Sequence, residues 1–347
     1  MMYNFFNKHL KLGQPEPVVE RPFVPVSPKK LSVFDAQHPR PADAADAVTL
    51  RRYLSEASDK QLASLMSKDA KALEGMRAVL LPALRSMMTD SFPRLGEVER
   101  RGDPMLDNKD NLTVRRSVLS RKGAGEAVPV VQVMGKEFDG QAVVWVHPDG
   151  VDSLWQDGKL VPAARKIIDQ KGAIIAVEVF RTGASGKLKR PSVDKTFAGY
   201  TFGYNRPLLA ERVHDILTAV HFARRHCGFD EVHLVGFGKA GPWVVLARGL
   251  CEDQVARTAA DLNQFNFADV ASFDDEMMLP GALKYGGLPT LAALCAPHEL
   301  MIHNCQGTGS AQWLDAAYAS AGKANSLRRV EKTSPEDLVG WLLRSGK

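Results

Sequence analysis

Residues 231–250, EVHLVGFGKAGPWVVLARGL, decide how the chain folds. Val232, Leu234 and Val235 form a short apolar run, as a strand covered on both faces does. Beyond the turn, Trp243, Val244, Leu246, Ala247 and Leu250 recur at helical spacing. Between them, Gly236-Phe237-Gly238-Lys239-Ala240-Gly241 supplies three glycines, which allow a tight reversal and a close approach of helix to strand. The stretch therefore reads as strand, turn, helix.

Working outward, the same alternation repeats on both sides. Upstream lie the long amphipathic helix Leu208 to Arg225, a strand from Gly172 to Phe180, a helix from Pro162 to Lys171 and the apolar strand Gln141 to Val146. Downstream come a strand near Thr258 to Asp261, a helix Leu288 to Cys295, the strand ELMIHN, a helix Ser310 to Ala321, the strand SLRRVEK and a last helix Pro335 to Leu343. Between Arg94 and Glu137, short runs alternate apolar and polar residues, as antiparallel strands do. The expected fold is α/β: a mostly parallel sheet with an antiparallel start and helices on both faces, plus a helical N-terminal extension.

Three regions are expected. Residues 1–45 hold a short helix (Tyr3 to Leu12) and a leader whose Pro15, Pro17, Pro22, Pro25, Pro28, Pro39 and Pro41 forbid regular structure. Such an opening suits the tail of a preceding domain and a linker. Residues 46–93 read as helical, with Thr49 able to cap the first turn and Pro82 expected to break or kink the second half. Residues 94–347 form the α/β domain.

Composition narrows the function classes. The chain has 347 residues, 45% apolar and 24% charged, with a net charge of +5. Its basic pairs are scattered and lack aromatic interleaving, so no nucleic-acid partner is indicated. No run is long and apolar enough to span a membrane, and the N-terminus lacks the pattern of a signal peptide. The compartment is left open, extracytoplasmic if an exported parent chain carries this one. The four cysteines show no C-x-x-C spacing, and no metal or cofactor is expected.

The turn at 236–241, the helix YTFGYNRPLLAERVHDILTAVHFA (200–223) and the block LPGALKYGGLPTLAALCAP (279–297) together resemble the acetyl xylan esterase and dienelactone-hydrolase-like group of α/β-hydrolases. More narrowly they resemble the second domain of large bacterial members with two hydrolase domains in tandem. The resemblance covers roughly residues 94–347 and implies a nucleophile elbow, G-x-S-x-G, at Gly236. It also implies a saccharide ligand, and as partner either an N-terminal catalytic hydrolase domain or a second copy of the chain.

The residues that would carry esterase chemistry are absent from the places the resemblance assigns them. The nucleophile position holds Gly238. The acid would follow ELMIHN, where the chain runs Asn304, Cys305 and on to Ser310, with no carboxylate before Asp315. The histidine would follow the last strand, yet the last histidine in the chain is His303. The sequence thus predicts a catalytically degenerate, esterase-like domain that supports, docks or binds. An active carboxylic-ester hydrolase with a displaced nucleophile is the alternative.

Part of the pocket is expected to survive as a ligand site made by His147, Asp149 and Gly150 of the HPDG turn, with Gly238 and the Lys239 N–H. The same glycines also serve close packing. Other candidates are Cys305 beside His303 as a thiol nucleophile, Ser185 as a displaced one, and His147 with Asp149 and Asp152 for acid–base or metal work. Asp274, Asp275 and Glu276 are an acidic run suited to a cation or to a solvated loop; Lys187, Lys189 and Arg190 suit an acidic glycan or plain exposure. His214, on an apolar helix face with His221, reads as a hydrogen-bonded core residue. Trp145, Trp155 and Tyr204 are the expected stacking faces for a sugar.

Overall fold

The parallel strands alternate their side chains between two interiors, and that alternation builds the molecule. The computed structural model describes all residues except 1, 21, 110, 190–191, 195, 306–310 and 345–347. A nine-stranded sheet is formed by β1 (Val98–Lys109), β2 (Leu112–Arg121), β3 (Val128–Gly135), β4 (Gln141–Val146), β5 (Ala173–Val177), β6 (Glu231–Gly236), β7 (Arg257–Asp261), β8 (Glu299–His303) and β9 (Leu327–Val330). Their order across the sheet is β1-β2-β3-β5-β4-β6-β7-β8-β9. The pairings β1·β2, β2·β3 and β3·β5 are antiparallel and all others are parallel. The expected antiparallel start and parallel remainder are both present.

On β4, Ala142, Val144 and Val146 join one core with the helices Ala70–Met88, Leu208–Arg225, Ala240–Arg248 and Ala311–Ser320. Val143 and Trp145 turn to the other, against the helices Pro162–Asp169 and Pro335–Leu342. β5 splits the same way, Ile175 to the first core and Ile174 to the second. Period-2 alternation of uniformly apolar residues is what a doubly covered strand requires.

The chain divides into two compact units, Met1–Leu54 and Ser55–Lys347. In the first, the helix Met2–His9 is closed by Asn7, whose amide donates to the Gln14 carbonyl (2.8 Å) and whose Oδ1 accepts from the Gln14 N–H (2.9 Å). The next long helix, Ala47–Ser64, starts two residues earlier than Thr49; its cap is Asp46, whose carboxylate accepts the Thr49 N–H at 2.7 Å. In the second unit, the helix Ala70–Met88 runs through Pro82 without ending. Pro82 and Ala78 are both exposed, so the carbonyl that loses its helical donor faces water. Among the described residues no helix is long and apolar enough to cross a membrane.

Candidate functional site

Loops following β4, β5, β6, β7 and β8 gather at the carboxyl edge of the parallel strands, where open α/β sheets bind ligands. At their centre is the turn after β6. Phe237 donates to the Val146 carbonyl (3.1 Å), and the N–H groups of Ala240 and Gly241 return to Phe237 and Gly238 (3.0 Å each). A Cβ on Gly236 would stand 2.8 Å from Val244 Cγ2, and one on Gly241 only 1.7 Å from the Asp261 carbonyl oxygen. Packing therefore demands glycine at both. Gly238 differs: it adopts φ +50°, and nothing lies within 4 Å of where its Cβ would be. The turn holds the left-handed residue of an elbow above open space, with no side chain on it.

The N–H of Lys239 has no hydrogen-bond acceptor among the described residues. The HPDG turn is arranged otherwise than the expected ligand site requires. Asp149 N–H donates to His147 Nδ1 (3.0 Å), Gly150 N–H to the His147 carbonyl (3.0 Å), and Val151 N–H to Glu178 Oε2 (3.3 Å). The first two donors are spent inside the turn and the third on Glu178. His147 thereby accepts at Nδ1, and burial holds its pKa below the ordinary value against the nearby Asp149 carboxylate.

Glu178, unremarked in the sequence, clasps two loops: its carboxylate also accepts from Ala184 N–H (3.1 Å). It faces the bare Cα positions of Gly150 and Gly183, where a Cβ would meet it at 2.6 and 2.5 Å. Glu178→Ala is expected to lower stability by about 2 kcal/mol, since two N–H groups lose their acceptor, with a lower urea midpoint as the measurement.

A cavity of about 530 Å³ opens beside the elbow, lined by Lys239, Asn263, Gln264, Asn266, Asp269 and Glu276, with Phe265 and Met277 as apolar wall. Glu276 pairs with Arg212 (3.0 Å) and Lys239 (3.3 Å). Burial pushes its carboxyl up, but these two cations more than reverse that and hold it below the usual range. Arg212 in turn lies 4.2 Å over the Trp243 ring. The expected stacking aromatics do not line this cavity. Trp145 is 2% exposed, stacks 4.3 Å from Phe237 and donates to Ser153 Oγ, because its place on β4 turns it into the interior. Trp155 packs on that same core, and Tyr204 stands exposed on a helix of its own.

The remaining candidates fall apart from one another. Ser185 Oγ donates to the Thr182 carbonyl (2.9 Å) in a helical turn. Burial raises the Cys305 thiol, with Arg329 acting against it and Asp261 with it. His303 is 5% exposed, and its ring nitrogens have no partner among the described residues. Asp274 accepts from Val193 N–H and Asp275 from Met277 N–H, so the acidic run is dispersed. Among the described residues no cluster suited to a metal ion exists. Lys187 and Lys189 are exposed; Arg190 and the segment 306–310 lie outside the described residues. At the edge of the site, Asn304 Nδ2 donates to Asp261 Oδ1 (3.0 Å), joining the ends of β7 and β8.

His214 is a core residue, its ring nitrogens at 2.8 Å from Asp90 and 2.5 Å from Glu126. Arg121 completes the cluster, 2.7 Å from Asp90 and donating to Thr218 Oγ1 (2.8 Å).

No family model matches the chain. No curated protein matches it either. Solved structures do. A protein assigned as an acetyl xylan esterase, from Bacteroides fragilis, superposes with TM-score 0.58 at 11% identity, covering 84% of each chain. A promiscuous CE15 esterase from a marine bacterial metagenome gives 0.51 at 12% identity, over 79% of this chain and 92% of that one. A methylesterase gives 0.50 at 14% identity, over 80% of this chain and 63% of that one. With the strand order, the positive-φ turn after β6 and the helices on both faces, these likenesses give the chain the α/β-hydrolase fold, on the same frame as these esterases.

Proposed function

We propose that this chain is a catalytically silent, esterase-type domain that binds a saccharide in the cleft beside its vacant elbow. The observation carrying this reading is Gly238: an elbow complete in φ, flanking glycines and helix, with nothing in the nucleophile position. The loop after β9 contains no histidine, and Asn304 and Cys305 follow β8. In a hydrolase of this design, loss of the serine alone removes roughly 10⁶-fold of rate, and further losses add little. The cleft supports a polyhydroxylated ligand: Asn263, Gln264 and Asn266 offer both donors and acceptors, and Asp269 and Asp275 add acceptors for sugar hydroxyls. The acetyl xylan esterase among the structural neighbours favours the same ligand class. The working context in this reading is a saccharide-esterase system, beside a catalytic hydrolase domain or as a homo-oligomer.

The test is hydrolysis of p-nitrophenyl acetate by wild type, Gly238→Ser and Lys239→Ala. Wild type is expected to match a heat-killed sample. Gly238→Ser is expected to fold, at a cost of about 1 kcal/mol for a left-handed non-glycine residue, and to remain inactive for want of histidine and acid. Turnover by wild type at enzyme rates overturns the proposal, and Cys305→Ala, Ser185→Ala and His147→Ala then locate the chemistry. Titration with xylo-oligosaccharides and uronic acids tests the ligand, with the neutral oligosaccharides expected to bind more tightly because Asp269, Asp275 and Glu276 line the cavity.

A further inference from the structure

A second cleft, of about 730 Å³, shares no lining residue with the one beside Lys239. It opens where β1 leaves register with β2 between Arg101 and Met105, at the Gly102-Asp103-Pro104 bulge. One wall is the face of β2 and β3 that carries Arg115 and Gln132, which are cross-strand partners. The other is the end of the helix Leu208–Arg225 and the turn after it, contributing Phe222, His226, Cys227 and Phe229, with the His226 ring stacked 5.5 Å from that of Phe222. Phe138 closes the floor, its ring 5.3 Å from that of Phe229.

The polar groups here are unmatched. Neither Arg100 nor Arg115 has an ion-pair or hydrogen-bond partner among the described residues, and Arg115 Nε is buried without an acceptor. Gln132 is 5% exposed; its Nε2 lies 3.0 Å from Met134 Sδ, while its Oε1 has no donor. One carboxylate, Glu99, stands at an exposed position of the lining, against two guanidinia. Burial raises the Cys227 thiol to about 11, with Arg115 and Arg100 acting against it. The buried Arg115 Nε and Gln132 Oε1 each cost stability until a partner reaches them, while the exposed Arg100 adds positive charge at the mouth.

We propose that this cleft binds a small hydroxyaryl carboxylate. The carboxylate is held by Arg100 and Arg115, the ring lies against Phe138, Phe222 and Phe229, and the hydroxyl donates to Gln132 Oε1. Charge selects the anion, the aromatic floor selects the ring, and the orphaned amide oxygen selects the hydroxyl.

The test is calorimetric titration of the full chain with 4-hydroxybenzoate, benzoate and 4-hydroxybenzyl alcohol. Wild type is expected to bind the first, benzoate several-fold more weakly, and the uncharged alcohol not at all. Arg100→Met and Arg115→Met are each expected to weaken 4-hydroxybenzoate by roughly tenfold or more. Gln132→Leu is expected to make benzoate and 4-hydroxybenzoate equal. Lys239→Ala is expected to leave binding unchanged, which separates this site from the saccharide cleft. Arg100 is exposed, so its variant reports on binding even if Arg115→Met fails to fold. No binding by wild type at about 10 mM, equivalent to less than about 3 kcal/mol, overturns the proposal, as does binding that ignores the arginines.

Discussion

Gly241→Ala is expected to destabilise the protein by more than about 4 kcal/mol, among the largest effects one methyl group produces. The added Cβ would stand 1.7 Å from the carbonyl oxygen of Asp261 and 2.5 Å from its carbonyl carbon. Both are backbone atoms at the end of β7, so no side chain can swing aside. Relief requires the helix Ala240–Arg248 to lift off β7, and that helix buries every one of its residues. Gly238→Ala is the control: it meets nothing within 4 Å and bears only the strain of φ +50°, about 1 kcal/mol. Urea unfolding of the two variants side by side measures the contrast. Equal costs would mean that the elbow is not packed as described.

Asp90→Leu is expected to cost about 3–5 kcal/mol, because it strands the Arg121 guanidinium and one side of His214 in the interior. The side chains of Asp90, Arg121 and His214 are 6%, 10% and 3% exposed. Burial works against both carboxylates, yet hydrogen bonds and charge from His214, with Arg121, hold Asp90 and Glu126 below their usual range. Burial likewise opposes the His214 charge, but those two carboxylates raise its pKa. The signs fix a window. Stability from the depressed carboxylates is present above about pH 4 and lost as pH falls through their folded values. Stability from the raised histidine is present below about pH 6.5 and lost as pH rises through its folded value. Asp215, pushed up to about 7 by burial, loses stability between about pH 4 and 7 in wild type and variant alike, so it does not enter their difference. The gap between wild type and Asp90→Leu is therefore expected to be widest near pH 5–6, narrowing on both sides, as urea midpoints across pH would record. A gap that stays constant from pH 4 to 9 would show that His214 is not charged in the fold.

The parallel half of the fold was legible because its central strands β4 and β5 are apolar almost throughout and the turn after β6 carries glycine. The helix Leu208–Arg225 falls on the residues its periodicity predicts. Two things were not legible, for different reasons. Trp145 reads as a candidate sugar platform, but which way a strand residue faces depends on register with its neighbours, and Trp145 pairs with Ala176 and Val235 inside the sheet. Glu178 and the Asp261–Asn304 pair join segments distant in sequence, and a lone carboxylate at a strand end carries no spacing signal. His214 shows the intermediate case: its place on an apolar helix face pointed to the core, while its partner Asp90, 124 positions away, could not be read from the chain.

The bulge in β1 also bears on how copies of this chain can meet. β1 and β9 are the two margins of the sheet, and a margin with free N–H and C=O groups invites another strand. At β1 the invitation is withdrawn: Pro104 offers no N–H, the ladder kinks at Gly102, and Glu99, Arg100, Arg101 and Asp103 charge the rim. At β9 only Leu327–Val330 is extended, and Arg328 and Arg329 occupy its middle. The bulge and the charges disfavour strand addition along most of both margins, leaving the short run from Met105, where Met105 and Leu106 are exposed, as the regular part of the β1 edge. Pairing between copies through β1 would have to use that short run, and partially unfolded chains meet charge and a kink along the rest of the rim.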